Sequence, residues 1–474
     1  MKFKLQSTLL LVSSCCVVDA IAAPKQSKKI DDRPNVIVIL IDDIGSEAID
    51  RYEGIYPTPN IDAIGENGIT VTHFLAQPLS SPTRVKLMTG KRNYRNYTMW
   101  TYLDLKENNF AKMAQKEGYK TCVAGKWQLG GDYEHMTESD LPRLLKDPYR
   151  AGFDEYCLYD LYRVPIVQRY GNVGGLSQNG KLLDTSKGDY GPDVYNKFVT
   201  DFIEKNRDDK FFVYYPMCLI HAEYEPTPES AEYADYVEQT YGKDENRRKF
   251  YDKKHYYDMV DYADKMIGEV IQTLKDNGVY ENTIVMCMGD NGTAGIMMPT
   301  VDGPRPSGKG STKYNGVRVP MLMQWPARYA EGGHYYQGVA EMCDILPTVA
   351  DAIGAETDDD IDGVTMLPLF DEGRESYVVR EVGVVNYDPL RLQMKNPLAD
   401  LNVRGRFAQT TRYKLYNNGD FYDMMYDPYE RYPITEVSAK DKPAYDLLKA
   451  ELDRIEEDYP WVDVPEVYNQ FMKE

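Results

Sequence analysis

Leu79-Ser80-Ser81-Pro82-Thr83-Arg84-Val85-Lys86-Leu87-Met88-Thr89-Gly90 is the stretch on which the reading of this chain turns. Its first residues start helices well: Ser is a favoured N-cap, and Pro fits the first turn, where its missing N–H is no loss. Gly90 is a stop. Backbone N–H groups left free at a helix start attract an anion. Arg84 adds a planar positive fork to the same turn. The segment predicts a hydroxyl beside an oxyanion site. Taken alone, it also matches an ordinary capped helix after a loop.

Other segments converge on the same chemistry. Residues 35–41 form a continuous apolar, β-branched run, the pattern of a strand buried on both faces. It ends in Asp42-Asp43-Ile44-Gly45. Adjacent carboxylates leaving a buried strand are costly unless paired or metal-bound, and such hard oxygen ligands suit calcium or magnesium. A second strand, 120–125, runs into Lys126-Trp127-Gln128-Leu129-Gly130. A third, 210–216, leads to His221, whose imidazole suits proton transfer near neutral pH. A fourth, 282–288, ends in Gly289-Asp290-Asn291-Gly292. If these strands run parallel, their polar exits share one sheet edge, where open α/β sheets bind ligands. Helices are expected over 57–68, 110–117, 193–206, 257–277, 344–354 and 444–457. Residues 131–190, rich in Tyr, Asp and Gly, read as loops. His73 and Arg318 are expected to be structural, with Arg318 in an ion pair, and His255 and His334 to lie at the surface.

Ser80-x-Pro82-x-Arg84, followed by Leu87-Met88-Thr89-Gly90-Lys91, resembles the signature of the type I sulfatases of the alkaline phosphatase superfamily. In that family a Cys or Ser at the first position is oxidised to formylglycine, whose hydrated aldehyde is the nucleophile. Position 80 has Pro two residues on and Arg four residues on; Ser81 fits neither distance. The resemblance spans 34 to 430 and implies an alkaline phosphatase-like α/β fold. That fold has a large mixed sheet flanked by helices and a smaller C-terminal subdomain with an antiparallel sheet and a helix. It implies a calcium ion, or magnesium, held by Asp42, Asp43, Asp290, Asn291 and the residue at Ser80. Arg84, Lys126 and Lys309 would neutralise the sulfate, and His221 would protonate the leaving oxygen. Lys309 sits in Gly308-Lys309-Gly310-Ser311, with Lys313 a weaker rival. Gln128 stands where the family commonly has His; it can hydrogen-bond the substrate but cannot take up a proton. A Ser-type site implies a radical S-adenosylmethionine maturase as partner. Two rival readings remain: a phosphatase or phosphodiesterase of the same fold using unmodified Ser80, and a catalytically silent sulfoglycan-binding protein.

Composition sets the remaining bounds. The 474 residues are 42% hydrophobic and carry a formal net charge of −20, which argues against nucleic acid as a partner. Lys2 and Lys4, an apolar run and small residues through Ala23 read as an export signal over 1–23, giving a periplasmic or secreted enzyme. An alternative is a lipoprotein modified at Cys15. Export and Tyr-rich loops favour a sulfated carbohydrate over an aryl sulfate. After the signal no apolar run approaches the ~18 residues of a spanning helix. Cys122, Cys157, Cys218, Cys287 and Cys343 are scattered without metal spacing and read as buried thiols. The expected division is a catalytic domain over 34–355 and a C-terminal subdomain over 356–474, with a hairpin turning at Asn418-Gly419.

Overall fold

Strand β1 (Asn35–Ile41) has every residue buried, and its alternate side chains feed two different cores. Val36, Val38 and Leu40 pack into one; Ile37, Ile39 and Ile41 pack into the other. A strand with both faces covered needs apolar residues at every position, which is why its sequence is a continuous run. The computed structural model describes residues 32–97, 99–131, 137–159, 161, 168–358, 360–388 and 404–461. The described residues from Arg33 onward form one compact unit. The expected export signal, 1–23, and Cys15 lie outside the described residues.

Around β1 the main sheet comprises β2 (Ile69–Leu75), β3 (Lys120–Lys126), β4 (Glu155–Tyr159), β5 (Ser177–Gln178), β6 (Lys181–Leu182), β7 (Phe211–Pro216), β8 (Thr283–Gly289), β9 (Arg318–Val319), β10 (Met321–Gln324) and β11 (His334–Glu341). Their order is β11-β2-β10-β8-β1-β7-β3-β4-β5-β6, with β9 paired to β2. β8, β1, β7, β3 and β4 are mutually parallel, so the exits of four site-bearing strands lie at one edge. β10 joins antiparallel, making the sheet mixed. Helix α1 (Pro59–Glu66) and helices Gly191–Lys205 and His255–Asp276 cover one face. Helix α2 (Ser80–Thr89) and helices Phe110–Lys116 and Ile345–Ile353 cover the other.

A second sheet, β12 (Gly383–Tyr387), β13 (Gly405–Gln409), β14 (Tyr413–Tyr416) and β15 (Phe421–Asp423), is antiparallel throughout. Leu448, Leu452 and Ile455 of helix Lys442–Asp458 close its core. This is the expected fold: a large mixed sheet with flanking helices, and a small antiparallel sheet with a helix. The five cysteines among the described residues are free and buried. Among the described residues no helix is long and apolar enough to cross a membrane.

Three expectations need correction. The 131–190 stretch is not all loop, because β4 lies within it, paired parallel to β3. His255 is buried rather than at the surface; it opens its helix and pairs with Asp258 and Glu232. His334, expected at the surface, begins β11 and is partly buried.

Glu341, at the end of β11, is the hub that fixes α2 to the rest of the molecule. Its buried carboxylate meets Lys86 of α2 at 2.5 Å, Arg92 at 2.7 Å and Arg380 at 3.2 Å. It also accepts from the Val384 N–H of β12 at 2.8 Å. Burial alone would raise its pKa, but Arg92, Lys86 and Arg380 outweigh burial and hold it well below the ordinary glutamate value of 4.5. Its stabilisation is therefore full above that value and lost as the pH falls through the folded-state pKa. Glu341→Gln leaves three buried cations short of an anion and is expected to cost about 3 kcal/mol in urea unfolding at neutral pH. The difference from wild type should shrink on acidification; a pH-independent or negligible difference would refute this role.

Candidate active site

The polar site begins where β1 ends. In an extended strand Asp42 and Asp43 would face opposite sides. Asp43 instead adopts φ 60°, the left-handed region that Asp tolerates better than most residues. With the chain turned there, both carboxylates face one buried site, each fully enclosed. Lys126 arrives from β3 behind Gly125, whose φ of 117° and close approach exclude a side chain: a Cβ there would lie 2.0 Å from the Pro216 carbonyl oxygen. Asp290 and Asn291 leave β8, and His221 lies beyond β7.

Ser80 is the first residue of α2, not its N-cap; Leu79 takes that position and makes no side-chain cap. The Ser80 hydroxyl is thus free to face the site. Its Oγ lies 3.1 Å from Asp42 Oδ1, 3.2 Å from Asn291 Oδ1 and 3.3 Å from Lys126 Nζ. Thr83, unremarkable in the sequence, ties the helix start down. Its Oγ1 accepts from Gln77 N at 3.0 Å and donates to the Asp290 carbonyl at 2.7 Å. Ser81 faces elsewhere, 3.5 Å from the Gln128 carbonyl.

Each site carboxylate has its own cation. Lys126 Nζ donates to Asp42 Oδ2 at 2.7 Å, and Lys309 Nζ to Asp43 Oδ2 at 2.6 Å. Arg84 Nη2 meets Asp290 Oδ2 at 3.2 Å while Nη1 reaches the Lys126 carbonyl at 3.2 Å. Arg84's fork is therefore spent on holding the scaffold of the site, not aimed freely at an anion. Asn291 Nδ2 donates to Asp43 Oδ1 at 2.8 Å, and Asp290 Oδ1 accepts from Asp43 N at 2.9 Å. Lys313 points away, to the Tyr429 carbonyl, and Arg318 pairs with Glu53 at 2.6 Å as expected.

The charges follow from this wiring. Burial alone would raise Asp42, but Lys126, His221, Arg84 and Lys309 hold it well below the carboxylate range. Asp43 is lowered in the same way, with His221 and Lys309 outweighing burial. Asp290 goes the other way: burial and the charge of Asp42 push it up to about 7. Burial lowers Lys126 despite the pull of Asp42. Burial, with Arg169 second, pushes His221 down to about 3, so its imidazole is neutral. His221 Nδ1 faces the Ala222 carbonyl, which leaves Nε2 as acceptor for Lys309 Nζ at 3.0 Å.

The donor set fits a hard divalent cation. Asp42, Asp43 and His221 place ligand atoms within 4.8 Å of one another, with Asp290 and Asn291 bonded to the same groups. Carboxylate and amide oxygens gathered at one buried place are the hard ligands that calcium or magnesium takes.

Three features were not legible beforehand. The small sheet supports the Lys309 loop: Lys414 Nζ and Tyr416 OH of β14 donate to the Thr312 carbonyl at 2.6 and 3.1 Å. Tyr170 OH bonds the carbonyls of Cys218 and His221 at 2.9 and 2.7 Å, and Arg169 Nη1 donates to the Ala222 carbonyl at 3.2 Å. Gln128 has φ 52°, and its Oε1 is enclosed without a partner among the described residues.

A family model described as Sulfatase matches residues 34–355. The human N-acetylgalactosamine-6-sulfatase is 28% identical over 376 residues, covering 72% of this chain and 66% of that enzyme, just under two thirds of its length. A solved protein in complex with its substrate D-glucosamine-2-N,6-O-disulfate superposes with TM-score 0.67 at 20% identity, over 90% of this chain and 98% of that one. The phosphonate monoester hydrolase of Agrobacterium radiobacter superposes with TM-score 0.63 at 18% identity, over 90% and 96% of the two chains. At such identities the two superpositions speak for the fold alone.

Proposed function

The chain belongs to the sulfatase family of sulfuric ester hydrolases, and from that premise we propose that it releases sulfate from a sulfated carbohydrate at Ser80. In this reading Ser80 is oxidised to formylglycine by a radical S-adenosylmethionine maturase, and Asp42, Asp43, Asp290 and Asn291 hold calcium. The enzyme works after export. The carrying observation is the position of Ser80 Oγ, within 3.3 Å of Asp42, Asn291 and Lys126 at the head of a buried helix. The named substrates of two similar proteins, both sulfated amino sugars, favour a carbohydrate.

A divalent cation held by Asp42, Asp43, Asp290 and Asn291 would supply positive charge to the sulfate ester. Oxidised and hydrated, residue 80 supplies one hydroxyl to attack sulfur and another to release it. The chain's own groups do the rest. Asp42 Oδ1 and Asn291 Oδ1 fix the direction of the residue-80 oxygen. Lys126 Nζ, on Asp42 and 3.3 Å from that oxygen, takes up negative charge as it develops. The start of α2 adds its positive helix end. On the other side Lys309 Nζ holds a proton against His221 Nε2, and through that nitrogen the proton reaches the departing alcohol. An imidazole held neutral needs Lys309 beside it as the source of that proton.

Mass spectrometry of the matured protein is expected to find the residue-80 peptide lighter by the mass of a hydrogen pair. Ser80→Ala should lower sulfate release by about a thousandfold or more. An unoxidised Ser80 in protein that turns over phosphate or phosphonate esters would replace this reading with the phosphatase one.

Metal is tested without turnover. Chelation should lower the thermal unfolding midpoint and calcium should restore it, by about 2.7 kcal/mol at a hundredfold excess over Kd. Asp43→Asn should abolish the calcium-dependent shift. A midpoint indifferent to both calcium and magnesium would remove the metal from the account.

A further inference from the structure

Four cations surround the site, and one differs from the others. Lys126, Lys309 and Arg84 each meet a carboxylate, namely Asp42, Asp43 and Asp290. Arg169 meets none among the described residues. Its Nη1 donates to the Ala222 carbonyl at 3.2 Å, and its guanidinium lies 5.3 Å from the Tyr159 ring centre and 5.9 Å from that of Tyr170. Its Nε is enclosed and has no partner among the described residues. A guanidinium carries five N–H donors, and a part-buried one that meets no carboxylate among the described residues costs free energy. Two aromatic faces offset only part of that cost.

Arg169 also belongs to the site by position. It contacts the residue after His221, and its neighbour Tyr170 holds the His221 carbonyl. Its charge is felt by Asp42, Lys126 and His221. An anion that completes it therefore belongs to something bound in the same place. The carboxylates of the site are already matched to other cations, so the missing anion is not theirs.

We propose that Arg169 reads a second anionic group on the substrate, a carboxylate or a further sulfate beside the ester that is cut. The inference rests on the sulfatase reading above and narrows it: the preferred sugar carries at least two negative groups. The planar fork accepts either oxyanion bidentately.

The test compares wild type, Arg169→Gln and Arg169→Lys on matched probes. These are 4-nitrophenyl sulfate, sulfated hexoses and hexosamines alone, the same sugars bearing a second sulfate, and the same sugars linked to a uronic acid. Wild type should favour doubly charged probes over their singly charged counterparts by about tenfold or more in kcat/KM. Arg169→Gln should abolish that preference through KM, and Arg169→Lys should keep part of it. Whether the preference lies with the second sulfate or the uronate identifies the group. Thermal unfolding of each variant checks that it is folded. A wild type without the preference, or an Arg169→Gln loss equal on all probes, would overturn the proposal and leave Arg169 as a brace for the His221 loop. Absence of sulfate release from every probe, 4-nitrophenyl sulfate included, by protein oxidised at residue 80 would instead sink the sulfatase reading beneath it.

Discussion

Two carboxylates stand side by side at the end of a strand that sees no solvent, and neither could stay charged there alone. Removing an ion from water costs several kcal/mol even after relaxation. Asp42 and Asp43 remain ionised because lysines from two distant segments reach them, Lys126 from β3 and Lys309 from the loop beyond β8. The requirement is mutual, since Lys126 is as deeply buried as its partner. It can be met only if β1 lies inside the sheet, flanked by β7 and β8 with β3 one strand further, which is the observed order. The electrostatics of the site and the topology of the sheet are thus a single constraint.

The helix that carries Ser80 is fixed from both ends by the same kind of interaction. At its start Thr83 bonds the exit of β8 and the chain before the helix. At its far end Lys86 reaches Glu341, and Gly90 turns the chain out through φ 67°. Every residue of α2 is buried, polar ones included. A helix so enclosed has no room to rock, so the residue-80 oxygen is held against Asp42 and Asn291 by packing as well as by hydrogen bonds. Preorganisation of that kind is what a site needs when charge must be met at once, without solvent rearrangement.

What could be read from sequence was what is local. Runs such as Val36-Ile37-Val38-Ile39-Leu40-Ile41 announce a two-sided strand through period alone. Asn418-Gly419 announces a hairpin, and β14 and β15 pair across it. β4 was not announced, because Glu155-Tyr156-Cys157-Leu158-Tyr159 is short and set in a Gly- and Tyr-rich context, and its strand character comes from pairing to β3. His255 looked like a surface residue because its acidic partners are legible only in three dimensions. Ser80 looked like a cap because propensity favours Ser there, yet its hydroxyl is drawn to Asp42 and Asn291 instead. Thr83 and Arg169 gave no signal at all, since their importance lies in carbonyls hundreds or dozens of residues away.

The departure at Gln128 changes how protons move in the proposed reaction. An amide cannot accept a proton near neutral pH, so nothing at that position can act as a base. Among the described residues the ionisable groups bonded to the Ser80 hydroxyl are Asp42 and Lys126, already bonded to each other. On the opposite side stand Lys309 and His221, also bonded to each other. The imidazole is neutral because it is buried close to positive charge, and Lys309 is the proton donor that its Nε2 faces. The division of labour follows from those contacts. In the proposed reaction nucleophile orientation would fall to the Asp42–Lys126 pair and leaving-group protonation to the Lys309–His221 pair. Gln128, turned by its left-handed backbone and with an acceptor unfilled among the described residues, would in the proposed reaction be left to substrate contact alone.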